Sequence, residues 1–62
     1  MRLIYDAEAD AAYLYLKEGG KAARTVTATD DVALDFDADG RLIGIEVLDA
    51  RRRLPKALLH DL

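Results

Sequence analysis

The sequence predicts an α+β fold that is mostly β: an antiparallel four- or five-stranded meander with one short C-terminal helix packed on one face. Three observations carry this. Apolar residues alternate with period two over Val32–Phe36 and Leu42–Leu48. Gly19-Gly20 and Asp39-Gly40 punctuate runs rich in Val, Ile, Thr and Tyr. Only at the C-terminal end does the spacing become helical, with Leu54, Leu58 and Leu62 at i, i+4 and i+8.

Arg2 to Tyr5 reads as a short first strand, followed by a polar connection in which Asp6 can cap a turn. In the stretch Ala11 to Lys17, Tyr13 and Tyr15 alternate with Leu14 and Leu16, which suits a strand. Ala9, Ala12, Tyr13 and Leu16 also fall at helical spacing, so a helix ending at Gly19 is the alternative. The strand is favoured because Gly19-Gly20 suits a tight hairpin and Arg24-Thr25-Val26-Thr27-Ala28-Thr29 beyond it is Thr/Val-rich. Val32–Phe36 and Leu42–Leu48 make the strongest hairpin, with Gly40 available for a left-handed position in its loop. Asp49 can cap the final helix, and Pro55 suits its first turn. Helix and sheet are expected to bury Val26, Ala28, Val32, Leu34, Phe36, Ile43, Ile45, Val47, Leu54 and Leu58 between them.

One segment matches a chemical motif. Asp35-Phe36-Asp37-Ala38-Asp39-Gly40, five residues and Glu46 fit the calcium loop of an EF-hand. Such a loop needs a helix on each side and four oxygens converging on one ion. Here both flanks have strand periodicity. With Asp35 opposite Leu42 in a hairpin, Glu46 falls about 13 Å along the partner strand, too far for one ion. The segment is therefore read as a hairpin with no metal site.

Size and composition bound the rest. Sixty-two residues make one domain, residues 1–62, and a chain this short buries only about 60% of its unfolded surface. It has no Cys, one His and no Ser, which excludes disulfides, thiolate metal sites and a serine or cysteine nucleophile. Self-association is the remaining way to stabilise so small a core. Nine basic and twelve acidic residues leave a net charge of −3, so nucleic acid is an unlikely partner. No apolar run is long enough to cross a membrane and the first residues are no signal peptide, so a cytoplasmic protein is expected.

The opening Tyr5-Asp6-Ala7-Glu8-Ala9-Asp10-Ala11-Ala12-Tyr13-Leu14, the Ala23-Arg24-Thr25-Val26 segment and the run from Val32 to Ala50, closing on Gly44-Ile45-Glu46-Val47-Leu48-Asp49-Ala50, resemble the small prokaryotic family called domain of unknown function 2283. The resemblance runs from Tyr5 to about Leu54. It implies a compact, mostly β domain with a C-terminal helix, a strand at Ala11 to Leu16 and a hairpin at Asp37 to Gly40. It implies no activity and no catalytic residue.

If the alternation holds, one sheet face carries Tyr13, Tyr15, Thr25, Thr27, Asp35, Leu42, Gly44 and Glu46. Tyr13, Tyr15, Leu42, Asp35 and Glu46 are the candidate interaction surface, because tyrosines offer large area with a polar tip. The alternative is a small-molecule-binding or enzymatic domain using Tyr13, Tyr15, Asp35 and Glu46, with Asp35 and Glu46 as an acid–base pair; a plain solvated face is the simpler reading. Arg51, Arg52 and Arg53 form the one basic patch. They are read as a solubilising helix face paired with Asp49 and Asp61, with nucleic-acid contact as the alternative, and His60 as a surface residue. The expected protein is non-enzymatic, without cofactor, self-associating as a dimer or larger through the tyrosine face, and able to bind a small basic protein as an antitoxin does.

Overall fold

The computed structural model describes residues 1–60. Asp61, Leu62 and the side chain of His60 lie outside the described residues, and with them the last leucine of the stripe, the Asp61 ion pair and the surface placement of His60. Five strands form one antiparallel sheet: β1 (Arg2–Asp6), β2 (Ala11–Tyr15), β3 (Arg24–Thr29), β4 (Val32–Phe36) and β5 (Leu42–Leu48). Two short helices follow, α1 (Ala50–Arg53) and α2 (Lys56–His60). The α+β class, the strand at Ala11–Tyr15 and the hairpin around Gly40 are as the sequence predicts.

The strand order is β1-β2-β5-β4-β3, which corrects the sequential meander. Only β3, β4 and β5 run as a meander. Gly19-Gly20 does not close a β2–β3 hairpin. Residues 16–23 instead carry the chain to the far edge, and β2 pairs with β5 in a Greek-key arrangement. The reason is burial. β5 is the longest strand and holds the buried Ile43 and Val47, so it gains most from a partner on each side. Gly20 passes so close to Ile43 that a Cβ there would stand 3.2 Å from Ile43 Cδ1.

The turns follow side-chain chemistry. Asp6 Oδ1 accepts the Glu8 and Ala9 N–H groups, and Asp37 Oδ1 accepts those of Asp39 and Arg41. Gly40 takes φ 81°, the left-handed conformation that favours glycine. Asp49 stands at the N-cap of α1, as predicted, but in left-handed conformation and without a capping hydrogen bond from its side chain.

The helical region is two pieces rather than one. Leu54 is extended, at φ −98° and ψ 150°, as the residue before a proline prefers. The Leu54/Leu58 stripe is therefore broken. Leu54 packs on the core cluster of Ala12, Val47 and Ala50, whereas Leu58 is 49% exposed. Among the described residues the buried hydrophobic set is correspondingly small: Ala12, Ile43, Val47 and Ala50. Val26, Ala28 and Leu58, expected inside, are exposed. A helix of two short pieces covers one end of its sheet face and no more.

Candidate functional site

Cross-strand pairing sorts the side chains into rows on two faces. On the face opposite the helices, Arg2, Tyr15, Gly44, Asp35 and Thr25 form one row across all five strands. The next row is Ile4, Tyr13, Glu46, Ala33 and Thr27. Tyr13, Tyr15, Asp35 and Glu46 thus share a face as predicted. Leu42 does not join them. A register shift between Asp35 and Phe36 sets Leu42 opposite Phe36 and Asp35 opposite Gly44. The same shift corrects the hairpin geometry: Glu46 faces Ala33, two residues from Asp35 along β4 rather than four, or about 7 Å at ~3.3 Å per residue. The segment is nonetheless strand–turn–strand, and Asp37 spends its carboxylate on the loop N–H groups.

Within the polar row the contacts are specific. Tyr13 leans over Gly44 and donates its hydroxyl to Asp35 Oδ2 at 2.5 Å. Thr25, directly opposite Asp35, donates to Oδ1 at 2.5 Å. Gly44 makes this crossing possible, since a Cβ there would collide with the Tyr13 ring and hydroxyl. Tyr15 packs on Tyr13 with ring centroids 4.6 Å apart. Arg2 lies 4.9 Å over the Tyr15 ring and pairs with Glu18 at 2.6 Å. The hydrogen bonds from Thr25 and Tyr13 hold the Asp35 carboxyl below its ordinary value. The bond to Asp35, followed by burial and the Asp35 charge, pushes the Tyr13 hydroxyl up to about 12. A phenol that stays protonated and a carboxylate with both oxygens occupied form a clasp across four strands, β2, β5, β4 and β3.

A second polar centre joins the sheet to α1 through Asp10, which the sequence groups with Asp6 and Glu8 in a loop that either caps itself or collects a cation. Asp10 takes φ 51° at the β1–β2 turn. Its Oδ1 accepts the Tyr5 hydroxyl at 2.8 Å and the Arg51 N–H at 3.0 Å, and its carbonyl accepts the Ala50 N–H at 3.0 Å. Burial raises the Asp10 carboxyl, but the bonds from Tyr5 and Arg51 outweigh it and hold it low. The Tyr5…Asp10 spacing, five residues apart across a turn, was the available signal.

The basic patch is internally paired. Arg51 meets Asp10 at 3.5 Å, Arg52 meets Asp49 at 2.6 Å and Arg53 meets Asp31 at 2.7 Å. Asp49 is the partner the sequence proposed; Asp10 and Asp31 come from distant turns.

The helix-side face carries no such polar row. Leu3, Leu14, Ile45, Leu34 and Val26 stand side by side across the five strands. Beside them opens a groove of about 520 Å³ between Leu3, Leu14, Ile45, Leu54 and Leu58. Sequence reasoning placed Ile45, Leu54 and Leu58 in a covered core and missed the groove, because the length of the helix depends on the Leu54–Pro55 break. Among the described residues no three His, Cys, Asp or Glu groups are placed to hold a metal ion, and no helix is long and apolar enough to cross a membrane.

Comparison with known proteins gives two matches. The family model described as "Protein of unknown function (DUF2283)" matches residues 2–51. A protein of Methanocaldococcus jannaschii described as "Uncharacterized protein MJ0789" is 40% identical over 52 residues, which are 84% of this chain and 43% of that protein. The chain therefore spans less than half the length of that relative. No solved structure matches. With the matched span running from β1 into the start of α1, the chain belongs to the DUF2283 family of proteins of unknown function.

Proposed function

We propose that this chain is a non-enzymatic module that works by binding protein, and that its working surface is the apolar face beside the C-terminal helices. The observation that carries the reading is the Leu3–Leu14–Ile45–Leu34–Val26 row, which crosses the whole sheet, with a groove open between Leu3, Leu14, Ile45 and the helical segment and with Val26 exposed on the edge strand. Contiguous exposed apolar surface of this kind marks interaction sites. The polar alternatives are occupied from within: the Asp35 oxygens by Tyr13 and Thr25, the arginine run by three aspartates. An antitoxin-like role, binding a small basic protein, is one form this module takes on the acidic chain.

Site-specific photo-cross-linking in cells tests the face. A photoreactive phenylalanine analogue at Val26 or Leu58 probes the apolar side, and one at Thr27 or Glu46 the other. Protein adducts from the first pair and none from the second are expected. Adducts only from Thr27 or Glu46, or from no position, would overturn the reading in favour of the tyrosine face or of no protein partner.

A further inference from the structure

We infer that the occupant of the apolar face is a second copy of the same chain, packed face to face about a two-fold axis. This rests on the binding face just proposed and names what covers it. The first argument is size. The molecule measures 33 × 23 × 18 Å, and five strands about 4.8 Å apart make the sheet faces its broad sides. A stable interface takes about 800 Å² from each partner, which is under a fifth of the chain's 4562 Å² of exposed surface and fits one broad side.

The second argument is shape. A two-fold interface must be self-complementary. This face has Leu54 and the half-exposed Leu58 at the wall of a groove that Leu14 and Ile45 also line, and the apolar row continues from Ile45 through the half-exposed Leu34 to the exposed Val26. An axis set on the row lays the groove wall of each copy against the row of the other.

The third is electrostatic. Leu3, Leu14, Ile45, Leu34, Val26, Leu54 and Leu58 include no charge, and Arg2 is the one charged residue at the groove. Two copies with a net charge of −3 each therefore set no carboxylate of the described groove or row residues against another. The tyrosine face is the poorer surface for self-pairing. A two-fold axis there brings Glu46 and Asp35 of one copy towards those of the other, and its tyrosines are already stacked and hydrogen-bonded within one chain.

Sedimentation equilibrium of the purified chain from about 1 to 100 µM tests it, beside the variants Val26→Glu, Leu58→Glu and Thr27→Glu. Val26 and Leu58 are 37% and 49% exposed, so the variants retain the fold of one chain, which circular dichroism checks. The wild type is expected to be a dimer. Val26→Glu and Leu58→Glu should each weaken it about 100-fold or more by burying an unpaired carboxylate, and Thr27→Glu, on the other face, should leave it intact. Cross-peaks between labelled and unlabelled copies at Leu14 and Ile45 serve the same purpose without substitution. A wild type monomeric throughout the range, or a dimer broken by Thr27→Glu and not by Val26→Glu, overturns the inference. In the first case, adducts to other proteins from Val26 leave the binding face standing with a different occupant. Their absence removes the face as well.

Discussion

Gly44 and Tyr13 act as a pair, because the missing Cβ on β5 is the space through which the Tyr13 side chain crosses to Asp35. Gly44→Ala is expected to destabilise by about 1–3 kcal/mol, the usual cost of overpacking. In a Tyr13→Ala background most of that penalty should vanish, which a double-mutant cycle by urea denaturation reads directly; full additivity would contradict the geometry. The same hydrogen bond sets a pH window. Tyr13 has a folded value raised to about 12, above the ordinary ~10 of a phenol. Its contribution is therefore complete below pH ~10 and is lost as pH rises towards 12. Asp35 is lowered, so its contribution is present above the ordinary ~3.9 and is lost as pH falls through its folded value. Phenolate absorbance should show at least one tyrosine ionising late, together with a falling urea midpoint. Tyr13→Phe should remove the latest step and leave that of Tyr5, which burial and its bond to Asp10 also raise.

Asp10 and Leu54 decide whether α1 and the chain beyond it stay on the sheet. Neither helix is long enough to persist alone, so both depend on tertiary contacts. Asp10→Ala removes the acceptor for the Arg51 N–H and places a less suitable residue at φ 51°. Amide exchange at Arg51 is expected to speed up about tenfold, the effect of losing one hydrogen bond to a charged acceptor. Asp10→Asn, which keeps an oxygen and tolerates the left-handed conformation, should restore most of the protection. Leu54→Ala should cost about 2–4 kcal/mol, because Leu54 packs on Ala12, Val47 and Ala50. An unchanged melting curve for that variant would mean that the segment after α1 contributes nothing to the core.

At the scale of the molecule, four buried side chains among the described residues are a small core even for this length, and a chain of this size is expected to have only about 3–9 kcal/mol of stability. Association that covers the apolar face adds to stability by mass action. Tm should therefore rise with protein concentration in the wild type and stay constant in Val26→Glu. The cost of Leu58→Ala should likewise appear only where the dimer is populated, since Leu58 is half-exposed in one chain. A Tm independent of concentration in every variant would leave the single chain to account for all of the stability.

The sequence by itself determined the strands, their antiparallel sense, the hairpin loop at Gly40 and the shared face of Tyr13, Tyr15, Asp35 and Glu46. All of these follow from local alternation and turn chemistry, which are written in adjacent residues. It did not determine that β5 lies between β2 and β4, because hairpin signals speak for neighbours in sequence and this pairing spans the chain. It misplaced Leu42 and the Asp35–Glu46 spacing because a one-residue register shift leaves no mark in an alternating pattern. Tertiary structure alone joined Asp10 to Arg51 and Asp31 to Arg53, across 41 and 22 residues. It also decided that the helix breaks at Leu54 and leaves a groove open beside Leu58. How much apolar surface remains for a partner depends on what the rest of the chain fails to cover, a property of packing rather than of any segment.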